Sequence, residues 1–128
     1  MKTFMYARRN GQNERRLEAA VQERIPKGRI ERFEKLDDFG RRLRLPVEPD
    51  SVAVLSAANR EELLRMKSLQ GMMTEIYVIL VIPDRKKSTI DLAHLLLPRF
   101  LCQREDDFTD LKSVLNKMYL NSQLAPAL

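Results

Sequence analysis

The sequence predicts a single α/β domain in which five parallel strands form a sheet with helices on both faces. Five short apolar runs alternate with five segments whose apolar residues recur every three or four positions. The runs at residues 51–56 and 76–82 are apolar almost throughout, which is typical of strands buried on both sides of a parallel sheet. A chain of 128 residues suits one domain with one core. Strict alternation favours parallel pairing, since each helix carries the chain back to the same end of the sheet.

The first part of the chain contains two predicted strands separated by a helix. The first strand covers residues 2–7, and the helix after it has Asn13 as its predicted N-cap and ends at Pro26. Residues 29–35 alternate charged and apolar side chains, a pattern that favours a second strand at an edge of the sheet. Asp37 stands at the start of a short second helix, where its charge suits the helix dipole.

The middle of the chain combines the central strand with a well-marked helix start. The third strand is predicted at residues 51–56, and Asn59 with Glu62 has the spacing of a capping box. We expect helix capping to explain that segment fully. The methionines of this helix are predicted to pack in the core rather than to form an adaptable interaction surface, and Met72 is the one expected off the core stripe.

The last part of the chain repeats the strand and helix pattern twice. Residues 76–82 form the strongest predicted strand, and Ser88 is the predicted cap of the helix that follows. Residues 99–103 read as a short last strand, and the final helix is expected to start at Asp106 or Asp107.

The single cysteine and the single histidine limit the chemistry that the chain can perform. Cys102 has no internal disulfide partner and, in its apolar run, is expected to be a buried, inert thiol. His94 has no second histidine or cysteine near it in the sequence, so we expect neither a metal site nor a cofactor. No motif for a nucleophile–histidine pair, a Walker loop or a dinucleotide fold is present, so an enzyme is not expected.

The charge balance is moderately basic, with 23 lysines and arginines against 18 acids and a net charge of +5. Such an excess permits weak attraction to nucleic acid. The basic segment lacks a recognition helix or an aromatic stacking platform, so nucleic acid is not the expected partner. Its residues are Arg29, Arg32, Lys35, Arg41, Arg42 and Arg44. The chain has neither an apolar stretch long enough to span a bilayer nor the pattern of a signal peptide, so a cytoplasmic protein without membrane contact is expected.

The order of the elements and the chain length resemble the receiver family of two-component response regulators over residues 1–121, with residues 122–128 expected as a flexible C-terminal tail. The resemblance implies a flavodoxin-like fold with strand order 2-1-3-4-5. In that family, an acidic pair after the first strand helps to hold Mg²⁺, and an aspartate ending the third strand accepts the phosphoryl group. A serine or threonine ends the fourth strand, and a lysine ends the fifth.

None of these chemical groups is present at the matching positions. Arg8 and Arg9 stand at the positions of the acidic pair, and Ser56 (or Ala57 if the register shifts by one) stands at that of the phosphoryl acceptor. Ile82 or Pro83 stands at the position of the serine or threonine, and Gln103 at that of the lysine. Two cations would repel Mg²⁺ where two carboxylates would bind it, and a hydroxyl stands where the nucleophilic carboxylate would be needed.

The resemblance with vacant sites therefore implies a pseudo-receiver, a non-enzymatic signalling or scaffolding module that acts through protein contacts. The family's usual contact surface is formed by the fourth helix, the fifth strand and the fifth helix. The partner would be a signalling protein or a second copy of the chain in a homodimer. The expected partner face contains Ile90, His94, Leu97, Phe100, Phe108, Leu111 and Lys112.

An alternative function is a sensor of a small anionic ligand or nucleotide. Arg8 and Arg9 follow the first strand, where this fold class places its ligand crevice at the C-terminal ends of the strands. In this interpretation the two guanidinium groups would bind the anion.

Overall fold

Five parallel strands form the sheet of the computed structural model, which describes residues 1–8 and 11–124. The strand order is β2-β1-β3-β4-β5, and every neighbouring pair is parallel. This order confirms the predicted α/β, flavodoxin-like arrangement. The strands are β1 (Thr3–Tyr6), β2 (Ile30–Phe33), β3 (Val52–Ser56), β4 (Tyr77–Ile82) and β5 (Phe100–Gln103).

Helices cover both faces of this sheet, as predicted. They are α1 (Gln12–Arg24), α2 (Leu36–Leu43), α3 (Arg60–Ser68), α4 (Lys87–His94) and α5 (Thr109–Gln123), with short 3₁₀ turns at Lys27–Arg29 and Gln70–Met72. Within the described ranges, no helix is both long and apolar enough to cross a bilayer.

Each face of the sheet has its own apolar core because side chains alternate along the strands. In β1, Phe4 points to the core shared with α2, α3 and α4, where it packs near Phe39. Met5 points to the opposite core, which Leu17 of α1 and Leu115 of α5 complete. The near-continuous apolar runs that predicted buried strands are thus explained by burial on both faces.

The first and fourth helices begin at residues other than the predicted caps. Asn13 is not the cap of α1, because the N-cap is Gly11 and the Asn13 side chain instead accepts a hydrogen bond from Arg16 at 3.3 Å. Ser88 is likewise wrong as a cap, since α4 already begins at Lys87 and no side chain caps it. In both cases the N-cap lies two residues before the predicted capping side chain.

The fifth helix begins later than expected and ends later. Phe108 has a φ of 62°, in the left-handed region, which holds the start of α5 back to Thr109 rather than Asp106 or Asp107. The Asp107 carboxylate still accepts the backbone N–H of Thr109 at 3.0 Å. The helix runs to Gln123, two residues beyond the predicted domain end, while residues 125–128 of the predicted tail lie outside the described residues.

The two edge strands of the sheet are protected in different ways. On β2, Glu31 pairs with Arg42 at 3.1 Å, and Arg32 pairs with Glu18 at 2.5 Å, so charged side chains flank the edge. On β5, which has an uncharged sequence, the backbone N–H of Gln103 donates to the Asp106 carboxylate at 3.0 Å. The backbone N–H of Asp106 in turn donates to the Gln103 carbonyl at 3.0 Å. The carboxyl end of the β5 edge is therefore closed by its own chain.

Candidate functional site

The residues predicted to match the receiver positions lie along the carboxyl edge of the sheet. Ser56, Ile82 and Gln103 are the last residues of β3, β4 and β5, and Arg8 follows β1 by two positions. Pro83 comes directly after β4, and Arg9 lies outside the described residues. The fold thus brings the described positions to one edge, as parallel strands require.

A buried carboxylate, which the sequence analysis did not single out for this role, occupies this edge. Glu62 in the first turn of α3 is 1% exposed. Its Oε2 accepts a hydrogen bond from the Tyr6 hydroxyl at 2.5 Å and one from Arg8 Nε at 2.7 Å. Its Oε1 accepts the backbone N–H of Ala58 at 2.8 Å. Three donors therefore surround one carboxylate: one from Tyr6 in β1, one from Arg8 just after β1, and one from the β3–α3 loop.

The charges of this cluster offset one another. Burial, followed by the hydrogen bond to Glu62, raises the pKa of the Tyr6 hydroxyl well above its ordinary value, so Tyr6 acts as a neutral donor. The hydrogen bond from Arg8 to Glu62 raises the pKa of the guanidinium, which keeps Arg8 positively charged. Arg8 remains half-exposed, with 51% of its side chain accessible, whereas the Glu62 side chain is enclosed. The one carboxylate of the cluster is therefore enclosed and paired with a cation.

Helix capping explains only part of the segment from Asn59 to Glu62. The Asn59 side chain accepts the Glu62 backbone N–H at 2.9 Å, which confirms the N-cap. The Glu62 carboxylate, however, reaches Ala58, Tyr6 of β1 and Arg8 just after β1 instead of the Asn59 backbone. The expectation that capping explains the segment fully was wrong, because a glutamate at this position can face the core as well as the helix end.

A second buried carboxylate lies in the first turn of α1. Glu14 is 8% exposed, and its Oε1 accepts a hydrogen bond from Arg104 at 3.2 Å. Its Oε2 has no hydrogen-bond partner among the described residues. A Cβ at Gly11 would lie 2.2 Å from that oxygen, so this carboxylate packs directly against the glycine backbone.

The end of β5 carries a polar cluster around Gln103, the position at which the resemblance predicts a lysine. Arg85 donates to the Gln103 side chain at 3.2 Å and to Asp106 at 3.0 Å. A groove of about 500 Å³ runs from Arg85 and Asp106 along β5 to the start of α5. Across the described ranges, no three His, Cys, Asp or Glu side chains are grouped so that they could hold a metal ion.

Cys102 lines this groove and is partly buried. Burial, with a smaller contribution from the negative charge of Asp106, raises its pKa to about 12. The thiolate is the reactive form of cysteine, so these surroundings favour an unreactive thiol near neutral pH.

We expect Cys102 to react with iodoacetamide at pH 8 at least about tenfold more slowly in the native protein than in the chain unfolded by urea, because a raised pKa leaves little thiolate. The rate in the native protein should keep rising with pH above 9, where an ordinary thiol levels off. Mass spectrometry of labelled samples measures both rates. Equal rates in native and unfolded protein would show that Cys102 is an ordinary accessible thiol.

The expected partner face is only partly accessible. His94 and Leu97 are exposed, with Leu97 at 75%, and Lys112 pairs with Glu23 at 2.9 Å. Ile90 and Phe100 are partly buried. Two of the predicted contact residues are wrong, because they fill the core between α5 and the sheet. These are Phe108 and Leu111, at 3% and 0% exposure.

The basic segment is largely neutralised by neighbouring carboxylates. Arg29 pairs with Glu48 at 2.7 Å, Arg41 pairs with Asp38, and Arg32 and Arg42 pair with acids as described for the β2 edge. Arg44 has no ion pair or side-chain hydrogen bond among the described residues. Four of the six cations of this segment are therefore each paired with a carboxylate.

No protein-family model, curated protein or solved structure matches this chain. The fold assignment therefore rests on strand order, strand direction and the placement of helices on both faces.

Proposed function

We propose that this chain is a non-enzymatic, receiver-like module that acts through protein contacts. The observation that carries the proposal is the enclosed cluster of Glu62, Tyr6 and Arg8 at the carboxyl edge of the sheet. In a phosphoryl-accepting site, a carboxylate must be open to the incoming phosphorus and flanked by groups that hold Mg²⁺. Here the carboxylate is closed off by three donors, and its neighbour Arg8 is a cation.

The other positions at the edge support the same conclusion. Ser56 is 7% exposed and offers a hydroxyl, and Ile82 is 3% exposed and apolar. Gln103 is held by Arg85 and by the Asp106 turn. Each position contributes to packing or to internal hydrogen bonding, which is the role expected of a scaffold.

The accessible part of the expected partner face is the surface through which the proposed module would contact its partner. His94, Leu95 and Leu97 project from the end of α4 and the loop after it, and the two leucines are 51% and 75% exposed. Leu97 also has a φ of 52°, a strained conformation for a branched residue that is often found at functional surfaces. In this proposal the partner is a signalling protein or a second copy of the chain.

The alternative of an anion sensor is less well supported. Glu62 already neutralises Arg8 at 2.7 Å, so an incoming phosphate would compete with a buried carboxylate for that guanidinium. Arg9, the other residue on which the alternative depends, lies outside the described residues.

Beryllofluoride with Mg²⁺, which mimics an aspartyl phosphate, tests the proposal in ¹⁵N-labelled protein. We expect the amide resonances of Arg8, Ser56 and Gln103 to show no saturable, Mg²⁺-dependent shift, because no open carboxylate is available. An active receiver treated in the same way is the positive control. Saturable shifts centred on Ser56 or Glu62 that require both reagents would overturn the proposal.

A further inference from the structure

Three basic residues precede Ser88 where the loop after β4 enters α4. They are Arg85, Lys86 and Lys87, and all of them, with Ser88 itself, are exposed. The Ser88 hydroxyl has no hydrogen-bond partner among the described residues, whereas Thr89 beside it is fully buried. Ser88 therefore presents an unbonded hydroxyl to solvent directly after a cluster of positive charge.

The backbone around Ser88 can be drawn into an extended conformation at small cost. Residues 84–86 belong to neither a helix nor a strand, and Lys86 has a φ of −63° and a ψ of 143°. Ser88 is the second residue of α4, a helix of eight residues. The backbone N–H groups of Lys87, Ser88 and Thr89 have no acceptor among the described residues. Opening this first turn therefore breaks few hydrogen bonds.

The basic residues are only loosely held by their own chain. Lys86 has no ion pair within the described ranges. Lys87 pairs with Asp91 at 3.6 Å and Arg85 with Asp106 at 3.0 Å, but the side chains of the two cations are 92% and 69% exposed. Ion pairs so exposed contribute little to stability, so acidic groups of another protein can replace them.

Ser68 is the only other serine or threonine with an arginine three positions before it, and its setting is the opposite. The Ser68 hydroxyl donates to the Arg65 carbonyl at 2.6 Å. Ser68 is also the last residue of α3, where the helix dipole disfavours added negative charge. Met66 lies between Arg65 and Ser68 and is buried in the core, so this segment cannot be extended without unpacking α3. The structure thus favours Ser88 over Ser68.

The start of α4 lacks the negative charge that stabilises a helix N-terminus. Its N-cap, Lys86, provides no side-chain acceptor, and no acidic residue lies in the first turn. The carboxylates of Asp84 and Asp91 flank the turn in sequence but are already engaged, by the Lys86 N–H at 2.9 Å and by Lys87. A phosphate on Ser88 would stand at the positive end of the helix dipole and beside two lysines.

We propose that Ser88 is phosphorylated by a serine/threonine protein kinase with an acidic peptide-binding groove, and that the phosphate stabilises the start of α4. Ser88 Oγ attacks the γ-phosphorus of a nucleoside triphosphate. The bond from that phosphorus to the β–γ bridging oxygen breaks, the nucleoside diphosphate leaves, and the hydroxyl proton passes to a base of the kinase. The inference goes beyond the proposed function, because a kinase can use Ser88 whatever α4 binds.

The catalytic subunit of cyclic-AMP-dependent protein kinase, which selects basic residues before its serine, tests the site with ATP and Mg²⁺. We expect Ser88 to react at similar rates in the folded protein and in a free peptide of residues 82–92. Ser68 should react at least about tenfold more slowly in the protein than in a peptide of residues 62–72, because α3 must first unfold. Mass spectrometry of digested time points measures all four rates.

Two arginine substitutions show whether the charge before the serine is recognised. Arg85→Ala should slow phosphorylation of Ser88 in the folded protein at least about tenfold, since it removes a contact to the acidic groove. Arg65→Ala, with the same change in net charge, should leave the Ser88 rate unchanged. A Ser88 as protected as Ser68, or a rate indifferent to Arg85→Ala, would overturn the proposed site.

Thermal unfolding tests the effect of the phosphate on α4. Phosphorylation of Ser88 and Ser88→Glu should each raise the Tm by about 1–4 °C at low ionic strength, and 1 M NaCl should remove most of the gain. Ser68→Glu adds the same charge at the end of α3 and should lower the Tm. A Tm that stays the same or falls on phosphorylation of Ser88 would overturn the stabilising role.

Discussion

Replacing Glu62 by alanine is expected to lower the free energy of unfolding by about 3 kcal/mol. The substitution leaves the buried Tyr6 hydroxyl and the Ala58 backbone N–H without their acceptor, and an unsatisfied buried donor costs about 1–3 kcal/mol. Loss of the Arg8 pair adds little, because half of the Arg8 side chain is in solvent. Urea unfolding followed by far-UV circular dichroism measures the effect, since the chain has no tryptophan.

A double-mutant cycle with Tyr6→Phe shows whether the lost hydrogen bond is the cause. Tyr6→Phe alone should cost about 1 kcal/mol, because Glu62 keeps two other donors. In the Glu62→Ala background the same change should cost almost nothing or even stabilise, since it removes an unpaired hydroxyl. Additive costs in the double variant would contradict the cluster as described.

Gly11→Ala is expected to destabilise the protein by about 2–3 kcal/mol. The glycine has a φ of 135° and a ψ of 151°, a conformation that residues with a Cβ rarely adopt. A Cβ would also approach Glu14 Oε2 to 2.2 Å, which forces that carboxylate to move. The change in the urea midpoint at constant slope is the measurement.

Two comparisons separate the causes of that effect. Gly28→Ala is the matched control, because nothing lies within 4 Å of its added Cβ, and it should change stability by less than about 0.5 kcal/mol. In a Glu14→Ala background, Gly11→Ala should cost less, since only the backbone conformation then opposes it. A Gly11→Ala protein as stable as the Gly28→Ala protein would show that residue 11 readily adopts another backbone conformation.

The sequence predicts the sheet well because its signals are long and reinforce one another. The apolar runs of β3 and β4 allow burial on both faces, and alternation with helices leaves parallel pairing as the simple topology. Helix starts are harder to predict. Positive φ values at Gly11 and Phe108 set where α1 and α5 begin. The spacing of apolar residues in the sequence does not predict these values.

The sequence predicts where the candidate site lies but not which side chains meet there. The end of each strand identifies Arg8, Ser56 and Gln103, since residues that follow parallel strands share one edge. The partner of Arg8 was missed, because Glu62 is 54 residues away and satisfies a local capping pattern. A signal was nevertheless present, because a tyrosine inside a buried strand needs an acceptor for its hydroxyl, and Glu62 lies in the first turn of the helix after the neighbouring strand.

The Asp106 turn has a consequence for how copies of this protein can associate. Because it already occupies the N–H and C=O of Gln103, a strand from another molecule could not extend hydrogen bonding over the full length of β5. The salt-bridged β2 border discourages the same event at the far side of the sheet. Propagation of the sheet from molecule to molecule, a common route to fibrils in proteins with unprotected edge strands, is thereby disfavoured at both edges of the sheet.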